Sequence, residues 1–526
     1  MKRTAQLQQL RDDSAVFDIV IIGGGASGLG AAVDAAARGY RVALFEQADF
    51  AKGTSSRSTK LVHGGVRYLQ QGNISLVMEA LRERGRLARN APHLVRSQAF
   101  VIPTYQWWQR AFYAFGMKLY DLLAGKLGLK PSRGLSRAQT LQRMPNLAAK
   151  GLRGGVLYYD GQFDDSRLAI NLAQTAVEQG AIMINYCRCV GLLKANGRTC
   201  GVKLHELEAD QQFEVQAKVV INATGVFVDS VRQMDAPQQH AIVAASQGVH
   251  IVLPRRFLPG DAALMIPKTA DGRVLFAVPW QGCVVVGTTD TPRTGSSLEP
   301  RALQQERDFI MTHTQAYLTT APSAADVLSI YAGLRPLVQT RAAGPTAALS
   351  RDHNILRSSS GLITLIGGKW TTYRQMGQDV IDQAAQQAGL ADRKCVTQSL
   401  QVHGWTCEPT DSQHLKIYGV DRLEILALIS AQPELATLLH PQLPYQQAEV
   451  IWQARSEMAR TVEDVLARRT RALLLNAKAS IAAAPIVAQL LATELGRDKK
   501  WQQTQLAEYT ELARGYVFDD PASTGL

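Results

Sequence analysis

Glycines at positions 23, 25 and 28, in the run Gly23-Gly24-Gly25-Ala26-Ser27-Gly28, have the spacing that lets a main chain grip a phosphate. Gly23 permits a tight turn and Gly25 lets the backbone approach a pyrophosphate. Gly28 lets a helix pack close to the preceding strand, so that the helix N-terminus faces the phosphates. Eighteen positions past Gly28 stands Glu46, near the offset of about 20 at which a carboxylate takes a ribose hydroxyl. An acid there favours a free 2′-hydroxyl, as in FAD or NAD, over a 2′-phosphate. The alternative is a glycine turn with no ligand, and the flanking elements decide between the two. The apolar run Phe17–Ile22 reads as a buried strand, Leu29–Gly39 as a helix and Arg41–Phe45 as a second strand. That is the strand, turn and helix setting a dinucleotide requires.

The rest of the chain must complete and furnish this unit. Residues 1–16 read as a loose tail, and the βαβ unit runs to about Phe50. A hydroxyl-rich loop follows at Lys52–Lys60, then Leu61–Leu69, then a helix over 74–90 whose apolar face is Leu76, Val77, Ala80, Leu81 and Leu87. Residues 104–129 carry Tyr105, Trp107, Trp108, Phe112, Tyr113, Phe115 and Tyr120 among Arg110, Lys118, Lys126 and Lys130. This mixture suits either a membrane interface or the buried face of an amphipathic helix. The side chains of Asp164-Asp165-Ser166 can cap a helix reaching about Gly180. Strands are expected at 153–160, 182–194, 199–205 and 213–217, and in Val219–Asn222, which ends in Ala223-Thr224-Gly225. Alternation over 245–290 reads as β, residues 340–345 as loop, and 362–366 as a strand ending at Gly367-Gly368-Lys369. A helix over 377–388 follows, and the chain is helical after about 395. The nucleotide-binding pieces are thus scattered, with β-rich segments inserted between them.

The chain has 526 residues, 46% hydrophobic and 19% charged, which excludes a disordered protein and allows several domains. Its charge of +12 fits an anionic substrate or an anionic membrane surface, and with no long basic block nucleic acid is the weakest partner. The cysteines Cys187, Cys189, Cys200, Cys283, Cys395 and Cys407 form no CxxC pair or zinc pattern, as expected of isolated thiols in a reducing compartment. The first 14 residues hold no apolar signal core, and no run of about 20 apolar residues predicts a spanning helix.

Several segments together are far more specific than the glycine motif: TSSRSTKLVHGGVRYL at 54–69, YDGQFDDSRL at 159–168, INATG at 221–225, GTTD at 287–290, YAGLRPL at 331–337 and LIGGKWTTYR at 365–374. With them the chain resembles the FAD-dependent, quinone-linked glycerol-3-phosphate dehydrogenases, within the D-amino-acid-oxidase-like flavoproteins. The match spans about 17–390, and ARSEMARTVEDVLARRTR at 454–471 resembles the family's helical domain.

The resemblance implies an α/β fold: a Rossmann-type FAD-binding domain, a mixed antiparallel β substrate or cap domain, and a C-terminal helical domain. The FAD-binding domain is expected from 17–100, 151–244 and 331–390, the cap from 101–150 and 245–330, and the helical domain from 395–517. It also implies oxidation of sn-glycerol 3-phosphate to dihydroxyacetone phosphate. A hydride passes from C2 to the flavin N5, and the electrons pass on to a membrane quinone. A glycerol-3-phosphate oxidase using oxygen is the alternative.

A phosphomonoester needs arginine forks and lysine point charges. By resemblance Arg67, Tyr68, Lys369 and Thr371 hold the substrate, and Arg335 lies near its reacting end. His250 is the expected base, an imidazole being suited to proton abstraction near neutral pH. His63, before Gly64-Gly65, is the competing candidate and is expected to be structural or to contact the flavin. The cofactor is expected to touch Gly23, Gly25, Ala26, Ser27 and Gly28, then Glu46 and Gln47, then Thr54, Ser55, Ser58, Lys60 and Leu61. Cys189 is expected to touch the cofactor as well, Ala223, Thr224 and Gly225 near the adenosine, and Gly368, Lys369 and Thr371 near the isoalloxazine. The chain departs from the family pattern at Gln247, where relatives often carry Lys, and at Val226-Phe227, where Pro-Trp is common. The expected partners are glycerol 3-phosphate, a membrane quinone, an anionic membrane surface and a second copy of the chain, with no nucleic acid and no metal. The expected location is cytoplasmic, peripheral on the inner face of the cytoplasmic membrane.

Overall fold

A computed structural model describes residues 1–12, 15–65, 73–267, 269, 272–338, 353–410 and 414–519. Two sheets and a helical C-terminal region make up the molecule. In the first sheet, Phe17–Ile22 runs parallel between Val42–Phe45 and Gln211–Asn222. Ile182–Ile184 extends it on one side, and Ile363–Gly367 followed by His353–Arg357 on the other. Phe17–Ile22, Val42–Phe45, Ile182–Ile184, Ile363–Gly367 and the second half of Gln211–Asn222 are mostly apolar and buried because helices cover the sheet.

Gln211–Asn222 was expected as two short strands and is a single one. Its first half pairs antiparallel with Arg198–Glu206 and its second half parallel with Phe17–Ile22. The helix Ala26–Ala37 packs against Tyr373–Ala388 at close range. A Cβ on Gly30 would lie 2.6 Å from the Tyr373 carbonyl oxygen, and one on Gly377 2.5 Å from the Gly30 oxygen. The helix Asp165–Glu178 starts where expected, with Asp164 accepting from the Arg167 N–H at 3.1 Å.

The second sheet holds ten strands. Thr291–Arg293, Val243–Pro254, Cys283–Gly287, Leu275–Trp280, Ala263–Ile266, Val95–Thr104, Gly154–Phe163 and Leu61–Val62 follow in order, with Ser329–Val338 and Arg133–Ser136 added on Val243–Pro254 and Gly154–Phe163. The expected division placed 61–100, 154–163 and 331–338 with the cofactor domain, but the strands in these stretches belong to the second sheet. Strand periodicity reports which face is buried and not which sheet the strand joins.

Two further expectations change. The expected loose tail at 1–16 is ordered in its first part: Arg3–Asp12 is a helix whose Arg3 donates to the Asn185 carbonyl at 3.0 Å and whose Gln6 accepts from the Met183 N–H at 2.9 Å. The aromatic stretch forms the helix Gln109–Ala124, which buries Met117, Tyr120 and Ala124 and leaves Trp107, Trp108, Phe112 and Phe115 exposed.

The C-terminal helices Arg422–Ala431, Gln447–Ser456, Ala477–Leu495 and Lys499–Arg514 follow as expected, but residues 395–410, also expected to be helical, form turns and irregular chain. Their core continues into Val252, Trp280, Val285 and Tyr331 of the second sheet. The helical region therefore shares a core with the sheet that carries His250.

Candidate functional site

A cavity of about 720 Å³ lies between the carboxyl ends of the first sheet and one face of the second, where an open α/β sheet binds its ligand. On the first-sheet side the main chain builds the wall. Gly23 has φ +109°, and a Cβ there would lie 2.7 Å from the Ala223 carbonyl oxygen. A Cβ on Gly28 would lie 1.9 Å from the Gly23 oxygen, so helix and strand meet at a distance only glycine allows. Gly28 itself does not line the cavity; Gly23, Gly25, Ala26 and Ser27 do. Gly25 caps the helix Ala26–Ala37 without a side-chain bond, so first-turn N–H groups face the cavity with the positive end of the helix dipole. Ser55 Oγ accepts from the Ala26 N–H at 2.9 Å.

Glu46 sits at the end of Val42–Phe45, and its carboxylate accepts from the N–H groups of Gly24 at 2.7 Å and Ala48 at 2.9 Å. Burial raises its pKa above the usual carboxylate value, against the pull of those N–H groups. Gln47, Cys189, Ala223, Thr224 and Gly225 line the same region. Burial lifts the Cys189 thiol to about 11, which makes it an unreactive lining group.

The loop after Phe50 crosses the cavity. Thr54, Ser55, Ser58, Leu61 and His63 line it, and Thr371 Oγ1 accepts from the His63 N–H at 3.2 Å. The Trp370 indole donates to the Ser55 carbonyl at 2.8 Å, which joins this loop to the Gly367–Thr372 turn, where Gly368, Lys369 and Thr371 line the cavity. Lys60 is a correction. Its ammonium is fully buried on Asp165, at 2.8 Å from both oxygens, and on the Ser56 carbonyl at 2.6 Å. It lies outside the cavity lining and braces the loop from behind. Arg67 and Tyr68 lie outside the described residues.

The second sheet supplies side chains. His250, on Val243–Pro254, faces Gly287 and Tyr331 across the strands. Its ring stacks on Tyr331 at 4.9 Å, and Nε2 lies 2.9 Å from Thr59 Oγ1. A Cβ on Gly287 would come 2.2 Å from His250 Cδ2, so the ring occupies the room that glycine leaves. Burial, with the nearby Arg335 and Lys60 cations, holds the His250 pKa well below its ordinary value. The imidazole is neutral at neutral pH.

Arg335 stands opposite Ser246. It donates from one terminal nitrogen to Thr288 Oγ1 at 3.1 Å, and the other lies 3.8 Å from Asp290. Gly248 leaves room for it, since a Cβ would lie 2.3 Å from the Arg335 guanidinium. Thr59, in the hydroxyl-rich loop, lines the cavity; Thr288 and Asp290 line it too and were not singled out from the sequence, although they fall inside the matched GTTD segment. Phe100, Tyr158, Met265, Val274 and Phe276 form an apolar lobe of the same cavity. Nothing local in the sequence marked them, because they come from four separate strands and a loop. Of the two departures, Gln247 is buried on Glu306 and the Arg301 carbonyl, outside the lining, whereas Val226 and Phe227 line the cavity.

The family model for FAD dependent oxidoreductases matches residues 18–374, and the one described as the C-terminal domain of alpha-glycerophosphate oxidase matches 359–502. The mitochondrial glycerol-3-phosphate dehydrogenase of Homo sapiens is 40% identical over 98% of this chain and 75% of its own. The mitochondrial enzyme of Arabidopsis thaliana is 39% identical over 94% of this chain and 86% of its own. Among solved structures, the glycerol-3-phosphate dehydrogenase of Bacillus halodurans complexed with FAD superposes with a TM-score of 0.80 at 27% identity, covering 98% of this chain and 97% of that one. The L-alpha-glycerophosphate oxidase of Mycoplasma pneumoniae shares the fold, with a TM-score of 0.55 at 16% identity over 72% of this chain and 97% of its own. The glycine turn, the uncapped helix start and the long cavity fit a dinucleotide. With these relatives they make FAD the cofactor, and the chain belongs to the FAD-dependent glycerol-3-phosphate dehydrogenase family.

Proposed function

We propose that this enzyme oxidises sn-glycerol 3-phosphate to dihydroxyacetone phosphate and passes the electrons to a membrane quinone. The observation that carries the reading is the convergence of two cations, Arg335 and Lys369, and one neutral histidine, His250, on a single cavity beside the cofactor cradle. A phosphomonoester dianion suits the guanidinium fork and the ammonium. A neutral imidazole can accept the C2 hydroxyl proton, and Thr59 and Tyr331 fix its plane. Bound FAD supplies the acceptor for the C2 hydride. In this reading Glu46 meets the ribose, and Gly23–Ser27 the pyrophosphate.

Two features support a quinone reached from a membrane surface. The apolar lobe of Phe100, Tyr158, Met265 and Phe276 has no counterpart in a polar three-carbon phosphate, and it shares a packed cluster with Met117 and Tyr120 of the helix Gln109–Ala124. The outer face of that helix exposes Phe112, Phe115 and Leu122 beside Arg110 and Lys118, with Trp107 exposed just before it. Aromatics among cations suit an anionic bilayer interface. No helix among the described residues is long and apolar enough to cross a membrane. The reading is of a homodimer lying on the inner face of the cytoplasmic membrane.

The test is stopped-flow mixing with glycerol 3-phosphate, then with a quinone analogue. Loss of flavin absorbance followed by rapid reoxidation by the quinone is expected. Stoichiometric peroxide without quinone turnover would point to an oxidase instead, and no bleaching would remove glycerol 3-phosphate as the substrate.

A further inference from the structure

The loop that crosses the cofactor cavity is held from outside by the C-terminal helical region. Lys52, Thr54, Ser55 and Ser58 of this loop line the cavity. Just before them, Asp49 is fully buried between two arginines: Arg468 Nε lies 2.5 Å from one of its oxygens and an Arg469 nitrogen 2.9 Å from the other. Just after, Lys52 Nζ donates to Glu463 at 2.6 Å. Arg468 joins the two anchors, because its terminal nitrogens donate to Glu463 and to Asp464, each at 2.6 Å. The loop is therefore gripped at both ends of its first turn by one short segment more than 400 positions away in the chain.

That segment is Glu463 and the π-helical turn Asp464–Arg469 that follows it. Its wider repeat, seen in the Thr470 N–H donating to the Val465 carbonyl at 2.8 Å, brings Glu463, Arg468 and Arg469 onto the loop together. Short π segments inside helices recur at functional sites. The two legs of the grip differ. Asp49 with Arg468 and Arg469 is sealed in the interior, whereas Lys52 and Glu463 keep 17% and 14% of their side-chain surface exposed.

We propose that the relay Asp49–Arg468–Glu463–Lys52 makes the C-terminal helical region a clamp on the cofactor loop and sets how long FAD is retained. Lys52 and Glu463 act as positioning residues: paired together, they fix the loop hydroxyls and N–H groups against the cofactor. The outer leg is the part that can be loosened without unpairing the sealed one, since Glu463→Gln leaves Asp49 on both arginines.

The experiment follows FAD release from the holoenzyme by the recovery of free-flavin fluorescence, with unfolding followed by circular dichroism in the same samples. Glu463→Gln is expected to release FAD about tenfold faster or more, because it weakens the charge-assisted bonds that Glu463 accepts from Lys52 and Arg468, with little change in the unfolding midpoint. Glu463→Asp should restore part of the retention. Added salt should speed release from the parent more than from Glu463→Gln, because the partly exposed leg is screened. Lys52→Met, which removes the other end of the same leg, should match Glu463→Gln, and the double variant should add little to either. An unchanged release rate in both single variants would overturn the clamp. So would slower release from Glu463→Gln, which would mean that the freed Lys52 ammonium binds the anionic cofactor itself. If Glu463→Gln does not fold, the comparison passes to Lys52→Met, whose parent-like release would overturn the proposal equally.

Discussion

The two walls of the cavity are built in opposite ways. The first-sheet wall is main chain: glycines at fixed spacing, a helix start without a side-chain cap, and a carboxylate occupied by backbone N–H groups. The second-sheet wall is side chain: His250, Arg335, Thr288 and Asp290, brought together by cross-strand pairing of segments up to about 90 positions apart. Even the second sheet's glycines serve side chains. Gly287 and Gly248 leave room for His250 and Arg335, whereas Gly23 and Gly28 let backbone meet backbone. A backbone wall tolerates no added atom, while a side-chain wall can shift a ring or a guanidinium and keep its fold.

That contrast can be broken most sharply with two glycine substitutions. Gly28→Ala places a Cβ 1.9 Å from a backbone oxygen. It should destabilise the protein by roughly 3–5 kcal/mol, in the range of severe strain, and strip the flavin, read as a fall in the 450-to-280 nm absorbance ratio and in Tm. Normal flavin content in that variant would undo the account of the cradle. His250→Ala comes next and should slow flavin reduction by about 10²–10⁴-fold with flavin still bound; an unchanged pH–rate profile would remove His250 as the base. Arg335→Ala should raise KM for glycerol 3-phosphate and lower kcat, and a near-normal kcat/KM would exclude it from the site. Gly287→Ala, whose Cβ would press first on the His250 ring, should keep its flavin and lose about tenfold in reduction rate by misplacing the ring. If it loses flavin as Gly28→Ala does, the two walls do not differ in kind.

The smallest effect lies outside the cavity. His403 bridges Glu178, at the end of a helix on the first sheet, and Asp421, in the C-terminal region, at 2.8 Å from Asp421. Burial works against its charged form, but Asp421 and Glu178 outweigh burial and raise its pKa to about 9. A raised pKa stabilises the fold fully below the unfolded value of about 6.5, and that stability is lost as pH rises through the folded value. His403→Gln should therefore lose roughly 1–3 kcal/mol at pH 6 and much less at pH 9.5. An equal loss at both pH values would show that the bridge carries no charge.

Backbone chemistry was legible in the sequence because each of its parts is local. The turn, its helix and the acid after the second strand lie within 30 residues, and Asp164 announced its helix. Lys60 was misread because a lysine inside a cofactor loop looks the same whether it faces the ligand or braces the loop from behind. Only Asp165, over 100 positions on, decides it. The helix Arg3–Asp12 was missed since it has little amphipathic pattern and is held by contacts to Met183, Asn185 and Glu206. The aromatic helix was legible as a helix, but its exposed face depends on the strands it packs against. The apolar lobe could not be read at all, for its residues come from separate strands.

The close crossing of Gly30 and Gly377 has a consequence for synthesis. The layer that begins with the first βα unit is closed by a strand and a helix that leave the ribosome only after some 390 residues. Until then the helix Ala26–Ala37 lacks the partner it touches backbone to backbone, and the strand Gln211–Asn222 lacks its outer neighbour. Contacts so distant in sequence are slow to form. The glycine turn is made first, but the wall it shares with the Gly367–Thr372 turn is complete only after roughly three quarters of the chain has been synthesised.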